Sequence, residues 1–219
     1  MHRPHLELDR PHLELGSDPG SRRSLAVVRR PRANGWQSVC HRDRTMARRP
    51  RVSAGGYVYH VCNRGSRKGV LFGSYDDYDA FIPLMEEARH RYRMRIPAYS
   101  LMRTHFHFLL WPRADMDLSW FMKRLEESHA SKFHWKRRSR GTGAVYQSRF
   151  FSRPLEDDRK YLIALRYIER NARASGYVTR AEDWPWCSVW HGEGGPRLFA
   201  PDPSPIPRPP NWLEILNEF

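Results

Sequence analysis

Two apolar runs separated by only two residues, RIPAYSLM (95–102) and HFHFLLWP (105–112), dominate the middle of the chain. Strands joined by so short a link can pair only with each other and antiparallel, so they predict a β-hairpin. The segments around it must supply its neighbours. YVYHVCNRG (57–65) alternates apolar and polar residues and ends at glycine, which predicts a strand. SYDDYDAFIPLMEEARHRYR (74–93) has Ser74 as an N-cap, acids in its first turn and bases in its last; it predicts a helix, kinked or broken near Pro83. The strongest helix is DLSWFMKRLEESHASKFHWKRRSR (117–140), with Leu118, Phe121, Met122, Leu125 and Phe133 near one stripe. GTGAVYQSRFFSRPL (141–155) predicts a fourth strand, and EDDRKYLIALRYIERNARASG (156–176) a third helix ending at Gly176. This order is satisfied most simply by an α+β, ferredoxin-like sheet of four antiparallel strands with helices on one face.

The flanks differ in kind. Residues 1–45 repeat RPHLEL and then turn Gly/Ser/Pro/Arg-rich, a composition that predicts a disordered basic extension, with Met46 as the expected translation start and the start of the domain. Residues 46–190 hold the regular elements, and 191–219 form a proline-rich tail in which NWLEILNEF predicts a short helix docking on the body. The formal net charge of +14, from 38 Lys plus Arg against 24 Asp plus Glu, makes an acidic polymer the expected partner. No apolar run is long enough to span a bilayer, so no membrane partner is expected. Three widely spaced cysteines argue against a disulfide framework or thiolate zinc site and fit a reducing cytoplasm.

On a strand, His105 and His107 project from one face while Phe106 and Phe108 project from the other. Two imidazoles about 7 Å apart on one sheet face are spaced to reach a single divalent ion as neutral ligands. In the third helix Tyr167 and Asn171 are four residues apart and share a helix face. Leu162, Leu165 and Ile168 define the apolar stripe there, and Tyr167 falls well away from its centre. Tyr161, near that stripe, reads as packing. Lys132, Lys136, Arg137, Arg138 and Arg140, interleaved with Phe133, His134 and Trp135, suit phosphate contact and base stacking on single strands. Arg64, Arg67, Lys68 and Arg149 are further candidate DNA contacts.

These residues carry a resemblance. A histidine pair around one bulky apolar residue, followed by a helix with Y-x-x-x-N, is similar to the HUH single-tyrosine transposases, particularly the REP-associated tyrosine transposases. MARRPR resembles the family's opening, YHVCNRG its first strand, LMRTHFHFLL its L-M-P-N-H-V-H-L-L, GAVYQSRF its G-x-x-W-x-x-R-F, LRYIERNARASG its R-Y-I-x-x-N-P-V-R-A-G, and DWPWCS its D-Y-P-W-S-S. The resemblance implies cleavage of single-stranded DNA beside a foldback hairpin, with Tyr167 as nucleophile and a 5′-phosphotyrosine intermediate. It further implies Mg²⁺ or Mn²⁺ held by His105, His107 and Asn171, the nitrogen ligands suiting Mn²⁺ better. Family members include dimers that share active sites, which makes a homodimer an expectation as well. Arg103 and Thr104 stand where the family has Pro-Asn, Tyr146 where it commonly has Trp, and Ala172-Arg173-Ala174 where it has Pro-Val-Arg. Those departures point to an alternative on the same fold, a catalytically inactive or domesticated protein that binds DNA or RNA hairpins.

Overall fold

The computed structural model describes residues 53–190 and 199–218. The N-terminal extension and the Met46 start lie outside the described residues, as do residues 191–198 of the tail. Strands β1 (Tyr59–Arg64), β2 (Arg95–Met102), β3 (His105–Trp111) and β4 (Phe151–Pro154) form one sheet in the order β2-β3-β1-β4. Every neighbouring pair is antiparallel. Met102 pairs with His105, so Arg103 and Thr104 are the whole loop of the expected hairpin.

Helices α1 (Tyr75–Arg91) and α2 (Asp117–Arg137) cover one face of the sheet. Phe81, Met85, Phe121 and Leu125 pack there against Tyr59, Val61, Phe106 and Phe108, all fully buried. Helix α3 (Asp158–Ala174) lies on the other face, where Ala164, Leu165 and Ile168 pack against Val58, Ala98 and Leu109. The four-stranded antiparallel core with α1 and α2 on one side is the ferredoxin-like arrangement expected. The element order alone did not put α3 on the opposite side, and that placement is what brings Tyr167 to the histidine face.

Several local expectations resolve differently. Helix α1 runs unbroken through Pro83. Pro83 is exposed while Ile82, Leu84 and Met85 are buried, so packing holds the helix and the carbonyl left unpaired can turn to water. Ser74 occupies the N-cap position but its side chain makes no capping bond. Asp77 instead accepts the Gly73 N–H at 2.8 Å, and this buried carboxylate also pairs with Lys136 and Arg137 from the end of α2. In 141–155 only four residues are strand, preceded by an isolated bridge between Gly65 and Tyr146.

The DWPWCS segment adds to the free edge of β2. Leu101 donates to the Trp186 carbonyl and Ser188 to the Tyr99 carbonyl, both at 2.9 Å. The tail is anchored along its described length: Asp202 accepts from Ile96, the Tyr161 and Ser204 hydroxyls are 2.8 Å apart, and α4 (Trp212–Asn217) buries Trp212 and Leu216 against α3. No described helix is long and apolar enough to cross a membrane.

Candidate active site

The period-two alternation of β3 puts Phe106 and Phe108 into the core beneath α1 and α2 and leaves His105 and His107 on the α3 side. Strand β1 is paired to β3 with Cys62 opposite His107 and Arg64 opposite His105. The same alternation therefore brings His60, Cys62 and Arg64 to that face as well. Arg153 of β4, directly across from His60, joins them. The result is a patch of three imidazoles bordered by two guanidiniums.

The rings are close. His60 Nε2 lies 3.1 Å from His107 Nδ1 and the two rings stack with centroids 5.3 Å apart. His105 and His107 sit 5.1 Å apart, nearly perpendicular. Thr104 Oγ1 is 3.1 Å from His105 Nδ1, so one of the residues departing from the family pattern supports a candidate ligand directly. Asn171, buried on α3, faces His105 closely enough to act weakly against the lowering of its pKa.

Helix α3 is anchored at both ends. Asp157 accepts the Lys160 N–H at 2.7 Å as N-cap. At the other end Gly176, with φ of +73°, completes a Schellman cap through Gly176 N–H to Arg173 and Tyr177 N–H to Ala172. Between them Leu165 and Ile168 of the expected stripe are buried and Leu162 is half-buried, Tyr161 is buried as packing, and Tyr167 is 50% exposed. Its ring stands edge-on to His107 at 5.2 Å and to His60 at 5.9 Å.

Burial makes the imidazoles weak bases. It pushes His105 and His60 down to about 4, helped by Arg64 at His105 and by Arg153 at His60. His107 is held well below the usual histidine range by burial, its two neighbouring imidazoles and Arg64. Buried His129 of α2, bonded to the Tyr146 hydroxyl at 2.6 Å, is also pushed down to about 4. At neutral pH these imidazoles are uncharged, each keeping one N–H and offering one nitrogen lone pair. A stability consequence follows, because unfolded histidines titrate near 6.5. Between about pH 6.5 and 4 the unfolded chain binds protons that the folded chain does not, so stability present above 6.5 is lost as pH falls. Each such imidazole contributes roughly 1.4 kcal/mol per pH unit in that window. Urea unfolding at pH 7, 6 and 5 should show this loss, and His129→Gln should reduce its slope; equal midpoints at all three pH values would contradict it.

Among the described residues no group of three or more His, Cys, Asp or Glu side chains could hold a metal ion. A metal here would rest on two neutral imidazoles and an amide, His105, His107 and Asn171, a donor set that burial keeps unprotonated.

The other expected DNA contacts scatter. Arg64 borders the histidines. Arg67 and Lys68 follow Gly65 in a short turn, both in the left-handed region with φ of +52° and +60°. Gly65 is required there, since a Cβ would lie 2.1 Å from the Gly69 carbonyl oxygen. Lys136 and Arg137 are engaged by Asp77, and Arg137 also covers the Phe133 ring at 3.8 Å. Trp135, 73% exposed, lines a groove of about 590 Å³ with Arg138 and Arg140 at the end of α2. Lys132 and Arg149 are exposed. Sequence reasoning missed His60 and Arg153. The alternation of YHVCNR placed His60 on one strand face, but only the β1–β3 register shows it is the face of His107.

A family model described as Transposase IS200 like matches residues 54–171. Among solved structures, a REP-associated tyrosine transposase bound to a REP hairpin superposes with a TM-score of 0.56 at 19% identity, covering 73% of this chain and 94% of that one. A candidate transposase from Deinococcus radiodurans gives a TM-score of 0.38 at 14% identity, covering 53% and 92%. No curated protein matches. The family match spans more than half of the chain, from the strand that carries His60 to the helix residue Asn171, and the protein belongs to the IS200-like transposase family.

Proposed function

We propose that the protein is a metal-dependent single-strand DNA endonuclease and strand transferase that cleaves beside a foldback hairpin. The observation that carries this reading is the half-exposed Tyr167 phenol standing over the His60–His107 pair, in a chain of this transposase family. The Tyr167 oxygen attacks the scissile phosphorus, the bond from phosphorus to the 3′ oxygen breaks, the phenol loses its proton and the 3′ oxygen gains one. The product is a 5′-phosphotyrosine that conserves the bond energy, so a 3′-hydroxyl can reverse the step without ATP. His105, His107 and Asn171 would hold a divalent ion, which when bound supplies charge neutralisation and orientation to the phosphate. Arg64 and Arg153 add fixed positive charge on the same face and bind the phosphodiester.

The test incubates the protein and Mn²⁺ with a 3′-labelled oligonucleotide carrying a hairpin and looks for labelled protein on a denaturing gel. Adduct that disappears with EDTA is the expected result. Hairpin binding with no adduct in Mn²⁺ or Mg²⁺ would overturn the enzymatic reading in favour of a binding protein on this fold.

His60 has a distinct part. If His107 presents Nε2 to the ion, its Nδ1 carries the proton and donates to His60 Nε2. His60 is then a positioning residue, fixing the tautomer and ring plane of His107. Calorimetric titration with Mn²⁺ should give an affinity about 10- to 100-fold weaker for His60→Leu, partly restored in His60→Gln. Equal affinity in all three proteins would remove this role.

A further inference from the structure

A second basic groove lies at the far end of β3, about 20 Å along the strand from His105. It forms where α1 ends and α2 begins, encloses about 480 Å³, and is lined by Arg91, Tyr92, Arg93, Arg113, Asp117 and Trp120. None of these residues belongs to the imidazole face or to the groove at the end of α2. Three guanidiniums meet a single carboxylate, and Asp117 Oδ2 already accepts the Ala114 N–H at 2.9 Å where α2 starts. Two aromatic rings are offered beside them: Trp120 is 50% exposed, and Tyr92 lies 6.5 Å from it, tilted by 40°.

The backbone of Arg93 is the second, independent observation. Helix α1 ends in a Schellman cap, with Met94 N–H donating to the Arg89 carbonyl and Arg93 N–H to His90. Arg93 therefore occupies the left-handed position, at φ of +46°. At the same position of the same motif α3 has Gly176, the residue without steric cost there. The helix dipole does not call for this arginine, because Arg89, His90 and Arg91 already fill the last turn. A cation kept at a position that disfavours it, at the mouth of a groove with two ring faces, points to a ligand with both phosphate and bases.

We infer that this groove binds a single-stranded segment of DNA flanking the hairpin, its phosphates on Arg91, Arg93 and Arg113 and a base against Trp120. The inference rests on the hairpin-DNA reading, and the experiment separates the two. Fluorescence anisotropy would measure the full chain with a hairpin, with the same hairpin extended by about eight thymidines, and with the free oligothymidine. Arg93→Gly, Arg113→Ala and Trp120→Ala should leave the bare hairpin affinity unchanged. Each should weaken oligothymidine binding, roughly tenfold for Trp120→Ala, and each arginine variant should lower the salt slope by about 0.7. Arg93→Gly should at the same time raise the melting temperature by relieving the left-handed arginine, which excludes unfolding as the cause of its weaker binding. Unchanged oligothymidine affinity and salt slope in Arg93→Gly and Trp120→Ala would overturn the groove as a binding site. Absent hairpin binding with oligothymidine binding still sensitive to these variants would overturn the hairpin reading and leave the groove standing.

Discussion

Tyr167→Phe should abolish the covalent protein–DNA adduct, lowering its rate by at least about 10⁴-fold, because the substitution removes the proposed nucleophile, the phenol oxygen of the ring that stands over the histidine pair. The ring stays. Tyr167 is half exposed, so stability should change by no more than about 0.5 kcal/mol and hairpin affinity should be retained. A free phenol has a pKa of about 10 and is a poor nucleophile unaided, which is why its location beside the His60 and His107 imidazoles matters. The other tyrosines are poor substitutes. Tyr59 and Tyr161 are buried, pushed up to about 12 mainly by burial, and bonded to the Ala54 carbonyl and to Ser204. Tyr146 is buried against His129, and Tyr99 bonds the Phe199 carbonyl. Exposed Tyr75 and Tyr177 belong to the α1 start and the loop after α3, each in ring contact with a tryptophan of the 184–186 segment. A denaturing gel of Tyr167→Phe with 3′-labelled hairpin is the measurement, and adduct persisting near the wild-type rate would displace Tyr167 as nucleophile.

Arg208→Met should cost about 3–5 kcal/mol of stability, the largest loss expected from any single tail substitution. Glu169 is fully buried on α3, two residues after Tyr167 and two before Asn171. Its carboxylate accepts from Ser188 Oγ at 2.8 Å, Trp212 Nε1 at 2.7 Å and the Arg208 guanidinium at 2.5 Å. Removing the arginine leaves a buried charge with two neutral donors, whereas removing the carboxylate leaves an arginine whose side chain is 30% exposed and can reach water. Glu169→Gln should therefore cost less than Arg208→Met, and combining the two should recover part of the loss. At about 2–4 °C per kcal/mol for a chain of this size, Arg208→Met should melt on the order of 10 °C lower. Scanning calorimetry of the three variants decides it; a neutral Arg208→Met would mean that the tail does not hold α3 in place.

Much of the site was legible because its signals are local. Alternation at HFHF separates imidazoles from phenylalanines without knowledge of any partner strand. The four-residue spacing of Tyr167 and Asn171, with the apolar stripe elsewhere on the helix, marks a second helix face, and that face meets the histidines. What was not legible involves distant segments. His60 reaches His107 across 47 residues of chain and Glu169 reaches Arg208 across 39. Lys136 and Arg137 read as free cations in a basic run, yet Asp77, about 60 residues earlier, engages both. Nothing in the run itself announces that partner.

The amino-acid order by itself determined which segments become strands and helices, which side of β3 carries the imidazoles, and that Tyr167 and Asn171 travel together. Periodicity and turn chemistry act within a few residues, so these features exist before any long-range contact forms. Tertiary structure alone decided that α3 lies on the imidazole face, that β1 contributes His60 and Arg64 to it, that the tail clamps Glu169, and that Arg93, Arg113 and Trp120 meet in one groove. Those outcomes come from strand register and from the burial of opposite faces of one sheet, and both depend on pairings between segments that no local pattern encodes.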